Sequence, residues 1–441
     1  LIRLPGGFPD VCLLVPWKRF DMSGSQYLSR ACAGAACMMV AGGLVWPGFT
    51  EAVSGVPTPG AIHADMPDAY IHPAPGSADQ ADAVQRALDG LQPGQRLVFT
   101  PGRYVVGRSL VVRQRHVVLS GFGATLVATD PGNQTIEMRG DGTTLVGFHL
   151  RGTGATRLDT PESTKVEVTG HDVQVLDNVI DGGASAGIFV YGGSDVAIVG
   201  NQVRSTLADG IHMTHGTRNV LVQGNVVRGT GDDMIAVVSY QADGALSGNV
   251  LVTGNSLEGN TWGRGITVVG GTEVTISNNI VHDVQVSAGI LVAQEDSYRT
   301  YGASDVRVEN NVISSIQTAV GRTDPRPLTQ QAAIDVSTWS GSVTRVVVIG
   351  NRVSHARFAG IRVWGNVSQY RIADNRLSAI GGEAVQVGGG GGCTSGGTSA
   401  EQCRVAVMQP ASIDVVGADT SALPHVREAL RQARPPRRGI D

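Results

Sequence analysis

An internal repeat of about 24 residues limits the possible folds of this chain more than any other feature of its sequence. From about Gly170 to Gly390 one two-part pattern recurs eight times. Its first part ends at an asparagine, and these asparagines are Asn178, Asn201, Asn225, Asn255, Asn279, Asn311, Asn351 and Asn375. Its second part is a short apolar strand aligned on Ile188, Ile211, Ile235, Ile266, Ile290, Ile334, Ile361 or Val385. Short strands at this period, without helical spacing, are typical of a solenoid in which each repeat forms one coil.

The composition agrees with stacked strands that are joined by tight turns. The 441 residues include 60 glycines, and charged residues make up only 16% of the chain. Valine and isoleucine, which favour strands, dominate the repeat. A continuous repeat predicts one elongated domain rather than several globular ones. The formal net charge of -4 gives no reason to expect a nucleic acid or an anionic membrane as a partner.

The sequence before the repeat has the features of an exported protein. Met22 opens a segment that contains Arg30, a short small-residue apolar stretch and a cleavage candidate at Ala52. We therefore predict a secreted or periplasmic protein that has no membrane contact after cleavage. The predicted segments are a non-native upstream extension at 1–21, a signal peptide at 22–52, a leader at 53–76, the solenoid domain at 77–410 and a helical, basic tail at 411–441.

Two cysteines, Cys393 and Cys403, belong to the part of the chain that would be exported. They flank a glycine-, serine- and threonine-rich loop, which they can close as a disulfide outside the cytoplasm. The sequence alone leaves their pairing open.

A helix is predicted immediately before the first coils. Ala81, Val84 and Leu88 lie on one helical face, and Ser77 or Asp79 can cap the first turn. Such a helix would cover the end of the solenoid, which otherwise exposes apolar surface and unpaired strand edges.

The asparagine column has a structural explanation. Amide side chains that stack at one corner of successive coils can hydrogen-bond to one another and to the turn backbone. We predict that the eight asparagines form a ladder that stabilises the fold and have no part in a functional site.

The position two residues before each aligned apolar residue shows where the repeat breaks. Alanine is the default residue there, but successive coils replace it with Asp209, Asp233 and Arg264, and Asp232 adjoins Asp233. Because stacked coils lie about 4.8 Å apart, these carboxylates should meet along one sheet edge. Like charges at such distances raise the pKa of one carboxyl group, which separates a general acid from a general base. We predict Asp209, Asp232 and Asp233 as catalytic residues.

Short motifs around these aspartates resemble the polygalacturonase family, glycoside hydrolase family twenty-eight. They read AspGlyIle at 209–211, GlyAspAspMetIleAla at 231–236 and GlyArgGlyIle at 263–266. The resemblance implies an all-β protein, a single-stranded right-handed parallel β-helix of the pectin-lyase-like type. It also implies an inverting hydrolase in which Asp232 is the general acid and Asp209 and Asp233 activate water. Taken one at a time, the Asp-Gly pairs are also ordinary turn residues.

The chain departs from that family in the motifs that bind its substrate. Leu207 stands where the Asn-Thr-Asp motif has asparagine, and Arg264 stands where the Gly-His-Gly motif has histidine. Gly289 and Leu291 stand where the Arg-Ile-Lys motif has its cations. We therefore expect a sugar other than galacturonate, such as a neutral sugar. Alternatively, Arg264 and Arg362 supply the missing cation from other positions.

Further residues are predicted to bind substrate on the same face. They are arginines, a histidine that projects outward beside Asp209, a loop carboxylate, and aromatic rings on which a sugar can stack. These residues are Arg264, His212, Tyr240, Glu295, Arg362, Trp364 and Trp339. Two coils are longer than the rest, from Ile235 to Ile266 and from Ile290 to Ile334, and we expect their insertions to form cleft walls.

Two other classes of function are consistent with the same residues. A polysaccharide lyase or uronate epimerase could use the three aspartates as oxygen ligands of calcium, with Arg264, His212 or Tyr240 as catalytic groups. A non-catalytic glycan-binding solenoid would use the aspartates only as hydrogen-bond acceptors. The hydrolase hypothesis requires no metal and no cofactor, and its partner is a polysaccharide or oligosaccharide. The sugar, its linkage, endo or exo action and the oligomeric state stay open at this point.

Overall fold

The computed structural model describes residues 67–319 and 328–388, which form three parallel β-sheets wound into one right-handed parallel β-helix. Each coil passes from sheet I to sheet II to sheet III, and each strand pairs in parallel with its counterpart in the neighbouring coil. The predicted signal peptide, Cys393, Cys403 and the predicted tail lie outside the described residues. Within those residues, the structure contains no helix with the length and apolar character needed to cross a bilayer.

The strands are numbered in chain order. Sheet I has the 12 strands β1 (Ala69–Ile71), β2 (Arg96–Phe99), β5 (Val118–Ser120), β8 (Thr144–Val146), β11 (Gln174–Leu176), β14 (Ser194–Val199), β17 (Arg218–Gln223), β20 (Gly248–Thr253), β23 (Gly271–Ser277), β26 (Ala303–Glu309), β29 (Val343–Ile349) and β32 (Val367–Ala373). Sheet II has the 11 strands β3 (Gly102–Val106), β6 (Ala124–Ala128), β9 (His149–Arg151), β12 (Val179–Asp181), β15 (Gln202–Arg204), β18 (Val226–Arg228), β21 (Ser256–Asn260), β24 (Ile280–Val284), β27 (Val312–Ile316), β30 (Arg352–Ala356) and β33 (Arg376–Ile380). Sheet III has the 11 strands β4 (Leu110–Val112), β7 (Ile136–Met138), β10 (Val166–Val168), β13 (Ile188–Tyr191), β16 (Ile211–Thr214), β19 (Ile235–Val238), β22 (Ile266–Val269), β25 (Ile290–Gln294), β28 (Ile334–Thr338), β31 (Ile361–Trp364) and β34 (Val385–Gly388).

The sequence repeat sets the register of sheet III. The eight aligned isoleucine or valine positions pair directly with one another from Ile188 in β13 to Val385 in β34. Because side chains alternate along a strand, each aligned residue and the one two positions later face the interior. In the first seven of these coils they join one apolar core that runs from Ile71 to Ile372, while Val385 packs against it and Val387 is exposed. The predicted fold class is therefore confirmed.

The predicted capping helix is present as α1 (Ala81–Asp89). Its buried residues include Val84 and Leu88, which join the core, and Asp79 Oδ1 accepts a hydrogen bond from the Ala81 N–H at 2.9 Å. Of the two predicted capping residues, Asp79 therefore makes the contact. Strand β1 precedes the helix and belongs to sheet I, so the solenoid includes part of the segment predicted as a leader at 53–76.

The eight asparagines form the predicted ladder at the corner between sheets I and II. In a typical step, the backbone N–H and the Nδ2–H of Asn225 both donate to Asn255 Oδ1, at 2.9 and 3.0 Å. The Asn225 Nδ2 group also donates to the Ile198 carbonyl at 2.9 Å. All eight side chains are buried, so each amide satisfies turn groups that the bend removes from water.

Two other corners position the candidate site. The acidic corner, between sheets II and III, contains residues 205–210, 229–234 and 261–265. The loop corner, between sheets III and I, contains the insertions 239–247 and 295–302. The outer face of sheet III therefore lies between the predicted catalytic aspartates and the predicted cleft walls.

Candidate active site

The three predicted catalytic aspartates meet at the acidic corner. Oxygens of Asp209, Asp232 and Asp233 all lie within 4.8 Å of one another. The glycine that follows Asp209 is required by close packing, because a Cβ atom at Gly210 would lie 2.5 Å from the Met234 carbonyl oxygen. The Asp-Gly pair is thus a tight turn that also presents a carboxylate.

Backbone hydrogen bonds connect the carboxylates from coil to coil. Asp209 Oδ1 accepts the Asp233 N–H at 3.0 Å, and Asp233 Oδ1 accepts the Arg264 N–H at 2.6 Å. Asp209, Asp233 and Arg264, three of the four residues that replace alanine in the column, therefore occupy equivalent positions in successive coils. This part of the sequence-based alignment agrees with the structure.

His212 lies beside Asp209, as its outward position in β16 predicts. Its Nδ1 atom is 2.5 Å from Asp209 Oδ2, and its ring stacks on Phe189 with centroids 5.0 Å apart. Because Nδ1 faces Asp209, Nε2 is the ring nitrogen left for another partner. Nε2 is buried and has no hydrogen-bond partner among the described residues.

The surroundings of the cluster favour retention of a proton. Burial raises the pKa of Asp233 well above its usual range; the Arg264 guanidinium opposes this shift, and the Asp232 and Asp209 carboxylates add to it. Burial and the Asp209 carboxylate raise the pKa of Asp232, while Arg157 opposes the shift. Of the three side chains, Asp232 is the most exposed, at 19% against 13% for Asp209 and 10% for Asp233.

Arg157 is a site residue that the sequence analysis did not find. It lies between β9 and a 3-10 helix (Pro161–Ser163), and its Nη1 donates to Asp232 Oδ2 at 2.7 Å. The Leu158 N–H donates to Ser185 Oγ at 2.9 Å, and Ser185 Oγ donates back to the Leu158 carbonyl at 2.8 Å. These bonds hold the arginine-bearing segment against a later coil.

Arg264 and Glu295 link the two sides of sheet III. Arg264 belongs to the acidic corner and Glu295 to the loop corner, and Nη2 of the arginine lies 2.5 Å from Oε1 of the glutamate. Both side chains are nearly buried. The ion pair therefore crosses the outer face of the sheet beside the aspartates.

The insertions of the loop corner pair with each other. The Gln241 N–H donates to the Arg299 carbonyl and the Tyr301 N–H donates to the Ser239 carbonyl, both at 2.9 Å. Tyr240 lies within this pairing; burial raises its phenol pKa, and the Asp209 carboxylate nearby adds to the shift. The loop corner thus builds a wall that places a protonated tyrosine near the acid cluster.

Three of the predicted substrate-binding residues lie far along the same side of the solenoid. Strand β31, which carries Arg362 and Trp364, is four strands beyond β19, or roughly 19 Å away. Arg362 Nε pairs with the buried Asp335 Oδ2 at 2.7 Å, while Trp364 and Trp339 are exposed. The structure does not bring these three residues to the aspartates, and their role in binding stays a prediction.

An aromatic array adjoins His212, and the sequence analysis missed it. Phe189 and Tyr191 project from β13, and the Tyr191 ring stacks on His215 with centroids 4.0 Å apart. His215 Nδ1 lies 3.2 Å from Asp243 Oδ1 in the loop corner. A comparison of outward positions along β13 and β16 could have found the array, but attention to the turn column alone could not.

Comparisons with known proteins agree with this architecture. A family model described as "Right handed beta helix region" matches residues 134–244 and 186–377, which together span more than half of the chain. Similar solved structures include the catalytic domain of an aspartate-to-alanine variant of a glycoside hydrolase family 87 α-1,3-glucanase in complex with tetrasaccharides, with 15% identity, a TM-score of 0.58, and coverage of 73% of this chain and 67% of that chain. The Dettilon tailspike protein has 13% identity, a TM-score of 0.52, and coverage of 72% and 68%. The A-module of the Azotobacter vinelandii mannuronan C-5 epimerase AlgE4 has 17% identity, a TM-score of 0.52, and coverage of 73% and 97%. No curated protein sequence matches the chain.

Proposed function

This chain belongs to the right-handed β-helix family, and we propose that it is a carbohydrate-active enzyme, an inverting glycoside hydrolase of a polysaccharide or oligosaccharide. The observation that carries the proposal is the meeting of three carboxylates within 4.8 Å at the acidic corner. Folding alone gives no reason for this arrangement, because like charges at such distances repel one another. General acid–base hydrolysis requires one carboxyl group that keeps its proton next to others that are ionised.

We assign the catalytic roles of the three aspartates from the exposure of their side chains. Asp232 reaches furthest toward solvent and donates a proton to the oxygen of the leaving sugar. Asp209 and Asp233 hold the attacking water. Asp209 takes its proton, while Asp233, whose pKa burial raises well above its usual range, hydrogen-bonds it, and the hydroxide portion joins the anomeric carbon. Asp209 is held by His212, and Asp233 by Arg264, so both are supported as hydrogen-bond acceptors.

Residue spacing in a structural neighbour supports this assignment. The family 87 glucanase was solved as three single aspartate-to-alanine variants, and the three substituted positions are separated in that chain by 23 residues and then by one. Asp209, Asp232 and Asp233 are separated by the same 23 residues and one residue. The overall likeness is one of fold, and the matching spacing is the feature that supports these three residues as catalytic.

The charges around the cluster favour a neutral sugar over galacturonate. Arg157 and Arg264, the arginines beside the aspartates, already pair with Asp232 and Glu295. The resemblance to polygalacturonases thus extends to acid–base hydrolysis but not to binding of a uronate carboxylate. α-1,3-Glucan is a suitable first neutral substrate, because the neighbouring glucanase is named for it.

The stereochemistry of the reaction needs its own measurement. Carboxyl groups of inverting pairs are typically about 6.5–9.5 Å apart and those of retaining pairs about 5–5.5 Å apart. The 4.8 Å limit joins single oxygens of side chains along one sheet edge, which is closer than either typical separation. Proton NMR of the first product formed identifies the anomer, and a retained configuration would contradict inversion while leaving hydrolysis intact.

The experiment that tests hydrolysis is a glycan-panel digest followed by mass spectrometry. The panel contains neutral glucans, polygalacturonate and mannuronan, and it is run with the parent, Asp232→Asn and the control Asp181→Asn on sheet II. The proposal expects products that have gained the elements of water from the parent and the control, and none from Asp232→Asn. Equal hydrolysis by all three proteins would remove Asp232 from the mechanism.

An epimerase or lyase is the second candidate, favoured by the fold likeness to the mannuronan epimerase. Calcium fits the aspartates poorly, because it takes about 6–8 oxygen ligands and these residues are three. Oxygens of all three already accept donors from His212, Arg157 and the Arg264 backbone. Ultraviolet-absorbing unsaturated products, or epimerised uronate without cleavage, would select this candidate, and loss of activity in chelator would add a metal.

Export to the periplasm or the exterior is part of the same proposal. It rests on the predicted signal peptide at 22–52 and suits an enzyme that acts on a polymer. N-terminal sequencing of protein recovered outside the cytoplasm would test cleavage near Ala52.

A further inference from the structure

We infer that the outer face of sheet III beside the aspartates is a hydroxyl-binding subsite for a neutral sugar ring, formed by His212, Thr214 and Thr267. This inference rests on the proposed carbohydrate function and specifies the chemistry that the site recognises.

Three unsatisfied polar groups lie on this face. His212 Nε2, Thr214 Oγ1 and Thr267 Oγ1 are buried and make no hydrogen bond to any described residue. The residues are 7%, 2% and 1% exposed, respectively. Because a buried polar group without a partner destabilises a fold, three of them on one face need an explanation.

The register of sheet III groups the three side chains next to the catalytic cluster. His212 and Thr214 are two residues apart in β16 and face outward together. His212 pairs with Ala236 in β19, and Ala236 pairs with Thr267 in β22, so the histidine and Thr267 are about 10 Å apart along the axis. The methyl group of Ala236 between them offers no competing polar atom.

The neighbouring contacts define what these groups can still bind. His212 Nδ1 is engaged by Asp209, which leaves Nε2 to hydrogen-bond a hydroxyl group. Each threonine hydroxyl can donate and accept, as a sugar hydroxyl can. The three groups therefore match the alternating donors and acceptors of a neutral sugar.

An anionic sugar matches this surface less well. The three groups bring no positive charge when the histidine is neutral, and the nearby Arg157 and Arg264 are paired with carboxylates. A uronate would add a negative charge beside Asp209, Asp232 and Asp233. The subsite is therefore selective for hydroxyl groups.

Replacement of Thr267 by valine tests the subsite, because it removes the hydroxyl and keeps the shape. Affinity for oligosaccharides of α-1,3-glucan is measured by titration calorimetry, and the melting temperature is measured in parallel. We expect affinity to fall about tenfold, the value of one lost hydrogen bond. The melting temperature should stay the same or rise, because the substitution removes an unsatisfied buried hydroxyl.

A matched control is available at Thr143, which is also fully buried. Its hydroxyl donates to the Gly140 carbonyl at 2.9 Å, and it lies roughly 24 Å from β22 along the axis. Thr143→Val should lower the melting temperature and leave saccharide affinity unchanged. Thr267→Ser, which keeps a hydroxyl, should restore most of the affinity that Thr267→Val loses.

The outcomes separate the subsite from the proposed hydrolysis. Unchanged affinity in Thr267→Val, or tighter binding of a galacturonate oligomer than of the neutral series, would overturn the subsite alone. Binding that depends on Thr267 without any turnover would support the subsite and overturn the hydrolase. Absence of binding to every saccharide would overturn both.

Discussion

Two corners of this β-helix stack polar side chains from coil to coil, with different results. At the corner between sheets I and II, every asparagine except the last donates hydrogen bonds to the side-chain oxygen of the asparagine in the next coil, as Asn225 and Asn255 illustrate. At the acidic corner the aspartates reproduce only the backbone half of this pattern. Asp209 accepts the N–H of Asp233, Asp233 accepts the N–H of Arg264, and no carboxylate can donate to the next.

The difference follows from the chemistry of the two side chains. An amide has both a donor and an acceptor and carries no charge, so its ladder can continue through any number of coils. A carboxylate only accepts, and neighbouring carboxylates repel one another. Asparagine would stabilise the fold at either corner. The aspartates at the acidic corner therefore indicate a functional role.

The largest expected effect comes from making the acidic corner resemble the ladder. In Asp233→Asn, the amide oxygen can still accept the Arg264 N–H, and the repulsion from Asp232 disappears. We expect turnover on the substrate found in the glycan panel to fall by roughly 10²–10⁴-fold, the range for loss of a group that takes part in general acid–base catalysis. The melting temperature should stay equal or increase. A variant that loses stability but keeps activity would assign this aspartate to folding.

The reverse exchange, Asn255→Asp, should damage the fold. The new carboxylate cannot donate to Asn279 Oδ1 or to the Val222 carbonyl, which the native amide does at 2.9 and 3.0 Å. Buried acceptors would then face one another, and we expect a loss of about 4 kcal/mol in the free energy of unfolding. Urea denaturation measures it, with the exposed Asn366→Asp as control. Equal stability of both variants would show that the ladder contributes little.

The sequence could predict the parts of the molecule that depend on the repeat. Alignment on the isoleucines placed Asp209 and Asp233 in successive coils and His212 beside Asp209, since strand pairing conserves register. It also predicted the asparagine ladder, because stacked identical amides can hydrogen-bond to one another from coil to coil. These inferences required only the spacing between residues.

Contacts that do not follow from the repeat spacing could not be predicted in this way. Arg157 lies before the eight repeats and reaches Asp232 through a segment whose path is set by local bonds to Ser185. Glu295 was a candidate because of its loop, but its partner Arg264 is fixed only by side-chain geometry. Spacing places Phe189 beside His212, but it does not encode the ring orientations that stack Tyr191 on His215.

The buried Lys165 is a third polar group to compare with the asparagine ladder and the acidic corner. Lys165 directly precedes β10 and is buried, with Nζ donating to the Gln134 carbonyl at 3.1 Å. Burial lowers its pKa to about 7, while a lysine in an unfolded chain has a pKa of about 10.4. Between these values the unfolded chain binds the extra proton, so the free energy of unfolding rises with pH across this window.

Lys165→Met should remove that pH dependence. We expect it to stabilise the protein at pH 7 by about 2 kcal/mol and to flatten the rise in stability between about pH 7 and 10. Asp233 should show the opposite sign, because its raised folded pKa stabilises the fold at low pH and loses this effect as pH rises through that value. Thermal unfolding across pH measures both slopes. An unchanged alkaline slope in Lys165→Met would contradict the assignment.

The smallest expected effect distinguishes the acid from the bases within the cluster. Arg157 opposes the upward shift of the Asp232 pKa, so Arg157→Gln should raise that pKa further. If Asp232 is the general acid, it stays protonated to higher pH, and the alkaline limb of the kcat/KM profile moves up by about one pH unit. If Asp232 is instead a base, the acidic limb moves up and the alkaline limb stays in place. Arg204→Gln, which breaks an exposed pair with Asp181, is the control and should move neither limb. The acidic corner thus differs from the ladder in a further way, because its protonation depends on Arg157, a cation from outside its own column.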